Sequence, residues 1–202
     1  AARIFNADHL FFVTNGTSTS NKIVWHSTVA PNDIVVVDRN CHKSILHAIM
    51  MTGALPVFLM PTRNHYGIIG PIPKSEFSPE AIAKKIAANP FARNAKNKKP
   101  RILTITQSTY DGILYNVEEI KQELGSTIDT LHFDEAWLPH ASFHDFYKNM
   151  HAIGKDRPRS EETVVFATQS THKLLAGLSQ ASQILVQNAE KRSLDTHRFN
   201  ES

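Results

Sequence analysis

The chemistry this sequence could carry turns on two side chains, Lys173 and Asp134. A lysine amine drawn partly out of water gives up its proton more readily and can form a Schiff base with a carbonyl compound. Lys173 stands in Ser170-Thr171-His172-Lys173-Leu174-Leu175, between an apolar run at 164–168 and the pair Leu174-Leu175, a setting expected to desolvate it. Asp134 closes a second apolar run and opens Asp134-Glu135-Ala136-Trp137, one connection ahead of the lysine. Two more polar groups stand at comparable points: the hydroxyls Thr17-Ser18-Thr19 after Asn15-Gly16, and His42 in Asp38-Arg39-Asn40-Cys41-His42-Lys43-Ser44. Taken singly, each has an ordinary reading as a surface lysine, a strand-end turn, a helix cap, or a core or capping histidine.

The elements that would position these groups follow from spacing. Residues 164–168 read as a buried strand, because β-branched and aromatic residues dominate them. Residues 9–14, 34–37, 56–59, 101–106, 130–133 and 181–186 read the same way. Helical spacing is expected from Lys22 onward, over 44–51 up to Gly53, from Pro79 behind a Ser78 cap to about Ala88, and over 117–124 before Gly125. Residues 61–73 read as an irregular loop, 93–101 as a solvated basic spacer and 148–162 as a polar loop. From Gln187 on, the pattern determines no element. Strands alternating with helices predict an α/β fold with a mostly parallel sheet and helices on both faces. Strand ends of one sense meet at one sheet edge, which is where such sheets hold ligands.

Gathered at one edge, the four clusters amount to a phosphate cradle, a flat ring, a carboxylate and an amine. That inventory suits pyridoxal 5'-phosphate, which has a phosphate, an aromatic ring, a ring nitrogen that works best protonated, and an aldehyde. Hydroxyls and free backbone N–H groups at a helix start would take the phosphate. Asp134, ionised at neutral pH, would pair with the pyridinium N–H. The Gly16-Thr17-Ser18 turn is not a nucleotide-binding phosphate loop, since no Gly-Lys-Ser/Thr follows.

Several segments together carry a family resemblance: Gly16-Thr17-Ser18-Thr19-Ser20-Asn21, Asp38-Arg39-Asn40-Cys41-His42-Lys43-Ser44, Arg63-Asn64 with Tyr66-Gly67-Ile68-Ile69-Gly70, Ser108-Thr109-Tyr110-Asp111-Gly112, His132-Phe133-Asp134-Glu135-Ala136-Trp137, and Ser170-Thr171-His172-Lys173-Leu174-Leu175 with Ser179-Gln180-Ala181-Ser182. In this order, across residues 10–200, they resemble the bacterial Orn/Lys/Arg decarboxylases, pyridoxal phosphate enzymes with the aspartate aminotransferase fold. The resemblance implies that Lys173 carries the cofactor and Asp134 partners its ring nitrogen. By the same resemblance His42 stacks on one ring face and Ala136 packs on the other. Thr17, Ser18 and Ser170 hold the phosphate, with His172 beside it and Trp137 lining the site.

The expected reaction is α-decarboxylation of a small basic amino acid, releasing CO2 and consuming a proton, with Lys173, Asp134, His172 and His42 as the catalytic set. Such a reaction would raise internal pH under acid stress. The 133–137 and 67–72 segments resemble the acid-induced arginine decarboxylases most, which gives arginine to agmatine as the expectation and lysine or ornithine as alternatives. The rival readings are an aminotransferase or aldolase on the same lysine–aspartate pair, and a catalytically silent regulatory homologue. Intact Lys173, Asp134 and His42 speak against the silent copy. The resemblance also implies a homodimer or higher homo-oligomer. Residues 1–202 are expected to be the cofactor-binding large domain, with an N-terminal wing and a C-terminal small domain outside it.

Composition narrows the partners. Lys and Arg number 22 against 19 Asp and Glu, a formal charge of +3 that is no nucleic-acid footprint. The apolar fraction of 41% supports a sizeable core in a single domain. No apolar run reaches the roughly 18 residues that span a membrane. The single cysteine, Cys41, fits a reducing cytoplasm, and no metal is expected.

Overall fold

The computed structural model describes residues 1–155 and 157–201. Strands β1 (His9–Val13), β2 (Ile34–Asp38), β3 (Leu55–Leu59), β4 (Ile102–Thr106), β5 (Thr130–Asp134), β6 (Val164–Gln169) and β7 (Ser182–Gln187) form one sheet in the order β1-β7-β6-β5-β4-β2-β3. Strands β2 to β6 pair parallel, while β7 is antiparallel to both its neighbours, β6 and β1. β1 therefore runs with the parallel set, and every strand but β7 delivers its carboxyl end to the same edge. The helices are α1 (Ala2–Phe5), α2 (Gly16–Thr28), α3 (Lys43–Thr52), α4 (Pro79–Ala88), α5 (Val117–Leu124), α6 (Thr171–Leu174) and α7 (Thr196–Asn200).

The expected α/β architecture with helices on both faces is what forms. On one face Val24 and Trp25 of α2 and Ile45, Ala48 and Ile49 of α3 pack with Val35, Val37, Ile102, Val164, Phe166, Ile184 and Val186. On the other, Ile82 and Ile86 of α4 and Ile120 and Leu124 of α5 pack with Val36, Val57, Leu103, Ile105, Leu131 and Phe133. Neighbouring strand residues alternate between these clusters, as a period of two requires. With both faces covered, β2, β5, β6 and β7 are buried along their whole length, which is why they read as near-continuous apolar runs. Phe133 is fully buried, and its truncation to alanine would cost about 3–5 kcal/mol.

Two local expectations are corrected. α2 begins at Gly16, not at Lys22. Thr17, Ser20 and Asn21 are buried polar residues, so they interrupt the apolar pattern without interrupting the helix. The tail holds α7, whose Asp195 cap accepts from the His197 and Arg198 N–H groups while Phe199 anchors it in the core. The basic spacer at 93–101 is tied down at its end: Lys99 pairs with Asp129 at 2.7 Å, and Arg101 with Asp129 at 2.9 Å and Asp33 at 3.3 Å. Among the described residues no helix is long and apolar enough to cross a membrane.

Candidate active site

The carboxyl-end edge of the sheet opens into a cavity of about 480 Å³. Thr17, Ser18, His42, Asp134, Ala136, Trp137, Ser170, His172 and Lys173 all line it. Topology explains the convergence. β1, β2, β5 and β6 end here and hand over to α2, α3, the 135–137 turn and α6, while the reversed β7 starts here with Ser182.

One end of the cavity is lined by the start of α2. α2 is 13 residues long, and its N-cap, Asn15, makes no side-chain capping bond, so first-turn N–H groups stay available at the positive end of the helix. Gly16 enters the helix at φ +74 and donates its N–H to the Gln180 carbonyl at 2.8 Å. A Cβ there would come within 3.1 Å of Gln180 Oε1, besides demanding a left-handed backbone. Thr17 Oγ1 contacts the hydroxyls of Ser170 and Ser182. Ser182 in turn donates to the Gln169 carbonyl at 2.9 Å. Thr19, grouped with Thr17 and Ser18 on the sequence, turns back instead and donates to the Asn15 carbonyl at 3.0 Å.

Asp134 occupies the floor, 4% exposed. Its Oδ2 accepts from Asn21 Nδ2 at 2.9 Å and its Oδ1 from the Ala136 N–H at 3.2 Å. Among the described residues no ion pair closes on it. Burial pushes its carboxyl above the usual range, while the Asn21 and Ala136 donors and the charges of His42 and Lys173 pull it back down. A cation placed against it would complete the reversal. Lys173 rides on the one-turn helix α6 with Nζ 4.2 Å from the centroid of the Trp137 ring, a cation–π contact. Burial lowers its pKa, with Asp134 opposing. The desolvation belongs to the cavity wall and not to the Leu174-Leu175 pair as expected, since Leu174 is 47% exposed.

His42 caps α3: its Nδ1 accepts from the Ser44 N–H at 3.2 Å and meets Ser44 Oγ at 2.9 Å. Burial holds its imidazole below the ordinary range, Asp134 pulling the other way. The cap fixes the imidazole as part of the cavity wall. His172 Nδ1 lies 2.8 Å from the Ala181 carbonyl, so it must be the donor there and Nε2 carries the free lone pair of the neutral ring.

Sequence reading missed Asn21, which donates to Asp134 and to Ser44 Oγ and accepts from Thr168 at 2.6 Å. The signal was available: Thr17, Asn21 and Trp25 recur every four residues, one helix face, and that face is buried. Thr106, Ser108, Tyr110 and Asp111 also line the cavity, carried there by the turn after β4.

The fold is of the aspartate aminotransferase-like kind, and its carboxyl-end edge gathers a helix start, a carboxylate and an amine around one cavity. The whole chain, residues 1–202, matches the Orn/Lys/Arg decarboxylase major domain, and the chain belongs to that family. It is 59% identical over 202 residues to the lysine decarboxylase LdcA of Pseudomonas aeruginosa, covering 100% of this chain and 27% of that protein. It is 46% identical to the biodegradative arginine decarboxylase of Escherichia coli, again over 100% of this chain and 27% of the relative. The solved lysine decarboxylase A from Pseudomonas aeruginosa superposes with a TM-score of 0.92 at 60% identity, covering 99% of this chain and 26% of that one. The chain thus spans about a quarter of the length of the relatives it matches.

Proposed function

We propose that this chain is the cofactor-binding part of an enzyme that removes the α-carboxyl group of a basic amino acid as CO2, replacing it with a proton. The observation that carries the reading is the buried Asp134 carboxyl, without an ion-pair partner among the described residues, sharing one cavity with Lys173 and a helix N-terminus that lacks a side-chain cap. The residues fit pyridoxal phosphate: Thr17, Ser18, Ser170 and the α2 N–H groups would hold the phosphate, His42 and Ala136 would face the ring, and Asp134 would take the ring nitrogen. Bound there, the cofactor supplies an aldehyde for Lys173 and an electron sink for the bond that breaks.

The rest is done by the chain's own groups. Asp134 holds a proton on the ring nitrogen, so the charge that must be stabilised is met by a fixed group and not by water reorganising. Lys173, with its pKa lowered by burial, exchanges a proton more easily than a surface lysine. His172, with Nε2 unblocked, is the second group able to hand a proton to the reacting carbon. The sum is one amino acid plus one proton giving one amine plus CO2.

For the substrate we favour lysine over the arginine expected from the sequence. Of the two segments that suggested arginine, residues of 133–137 line the cavity and those of 67–72 do not, and identity is 59% to the Pseudomonas aeruginosa lysine decarboxylase against 46% to the Escherichia coli arginine decarboxylase. A homo-oligomer remains our reading of assembly, and Phe12, Met50, Met51 and Leu178, each at least 60% exposed, give another surface something to cover. The test is CO2 and amine release by the purified full-length enzyme with pyridoxal phosphate and lysine, arginine or ornithine. Release from a basic amino acid is expected, with lysine fastest. A keto acid product, or no turnover of any of the three, would overturn the reading.

A further inference from the structure

Beneath Asp134 a line of buried polar side chains crosses three strands. Trp25 Nε1 lies 3.2 Å from Thr104 Oγ1, Thr104 Oγ1 lies 3.2 Å from His132 Nδ1, and His132 Nε2 lies 3.0 Å from Thr168 Oγ1. Thr168 Oγ1 reaches Asn21 Oδ1 at 2.6 Å, and Asn21 Nδ2 reaches Asp134 Oδ2 at 2.9 Å. Trp25, Thr104, His132 and Thr168 are fully buried and Asn21 is 1% exposed, so no water is at hand to take up a misdirected donor.

An indole nitrogen can only donate, so Thr104 accepts from Trp25. A hydroxyl can accept twice, but His132 Nδ1 is the one other side-chain partner of Thr104 Oγ1 among the described residues, and a buried proton without an acceptor is costly, so that proton goes to His132 Nδ1. Complete burial pushes the His132 imidazole down to about 3. The ring is therefore neutral, and with Nδ1 accepting, its one proton sits on Nε2 and is donated to Thr168. Thr168 must then spend its own proton on Asn21, which fixes the Asn21 oxygen on that side and turns the NH2 toward Asp134. The strand register makes this possible, because Thr104 is paired with His132 and Thr168 with Asp134 across adjacent strands.

We propose that Trp25, Thr104, His132, Thr168 and Asn21 form a one-way donor chain that locks the Asn21 NH2 onto Asp134 Oδ2 and keeps this carboxylate a proton-free acceptor for a cationic ring N–H. Asn21, Thr168 and His132 are then positioning residues, acting on the reaction only through Asp134. The part concerning the ring N–H rests on the cofactor reading above; the part concerning the carboxylate does not. An amide in the opposite orientation would present an oxygen to the carboxylate and oppose its charge. The other groups facing Asp134 are the charges of His42 and Lys173, the buried Glu135, and the Cys41 thiol, which burial pushes up to about 12. His42 and Lys173 lie on the cavity side, and the donor chain is the support that comes from within the core.

The test uses the full-length enzyme with Thr168→Val, which keeps the shape and deletes the hydroxyl, and Thr168→Ser, which restores it. In the apoenzyme, the Asp134 carboxyl band, identified by infrared difference against Asp134→Asn, is titrated with pH. Thr168→Val should move this titration to higher pH and Thr168→Ser should return it. In the holoenzyme, Thr168→Val should retain pyridoxal phosphate about tenfold less tightly, the size of one weakened charge-assisted bond. Thr104→Val, cut further upstream, should shift the band the same way by less, and it replaces Thr168→Val if that variant does not fold. An unchanged Asp134 titration in folded Thr168→Val or in folded Thr104→Val overturns the chain. Failure of the unmodified enzyme to attach the cofactor to Lys173 would sink the cofactor reading instead, and the apoenzyme titration would still decide the chain.

Discussion

The two edges of the sheet handle charge in opposite ways. At the amino-end edge, Asp33, Arg101 and Asp129 stand just ahead of β2, β4 and β5, and their charges cancel locally: Arg101 bridges both aspartates and Lys99 adds a second cation to Asp129. At the carboxyl-end edge, Asp134 is buried with no ion pair closing on it among the described residues, the α2 N-terminus lacks a side-chain cap, and Lys173 rests on an indole. The same strands end in a neutralised edge and an unneutralised one. Unneutralised polar groups gathered in one cavity fit the cofactor reading proposed above.

The contrast can be broken from either side. The largest effect should come from Lys173→Ala, which is expected to abolish CO2 release by the full-length holoenzyme while leaving its thermal midpoint nearly unchanged, since the side chain is only partly buried. Asp134→Asn should lower kcat by about a hundredfold or more, the scale of losing one preorganised electrostatic partner. Its apoenzyme should melt no lower than the parent, because a buried unpaired charge is removed. A destabilised but active Asp134→Asn would place that carboxylate with the structural edge.

Glu135 sharpens the comparison, being the next residue yet on the opposite sheet face. The Ala152 N–H and Gln169 Nε2 donate to it at 2.6 and 2.7 Å, and burial raises its pKa from 4.5 to about 7. The folded chain therefore holds a proton that the unfolded chain releases between these values. The resulting stabilisation is complete below about pH 4.5 and is gone once pH rises through 7. Differential scanning of Glu135→Gln against the parent should show the variant gaining relative stability as pH rises from 5 to 8; a constant offset would disprove the linkage. The smallest effect is expected at the far edge, where Arg101→Ala should cost about 1 kcal/mol for each partly exposed pair and leave kcat untouched.

How much of this was legible in the sequence depends on what each residue had to report. Apolar strands buried on both faces announced themselves as runs, and the polar residue closing each run, Asp134 or Ser170, marked the functional edge. The start of α2 was hidden because Thr17, Ser20 and Asn21 are buried for their hydrogen bonds, and hydrophobic periodicity counts them as exposed. His132 and Thr168 were passed over for a related reason: they sit inside otherwise apolar strands, and only the register, which sets Thr168 opposite Asp134, brings it within 3.0 Å of His132 two residues away. The α7 helix was missed because a short helix held by one Asp195 cap and one Phe199 anchor has too little periodicity to read. The substrate was least legible: of the two segments that favoured arginine, residues of 133–137 line the cavity and those of 67–72 do not.

The most direct test is chemical trapping. The full-length enzyme, incubated with pyridoxal phosphate and reduced with borohydride, should yield a single modified peptide carrying the pyridoxyl group on Lys173, lost in Lys173→Ala. A pyridoxyl group on another lysine, or none in the folded protein, would contradict the account.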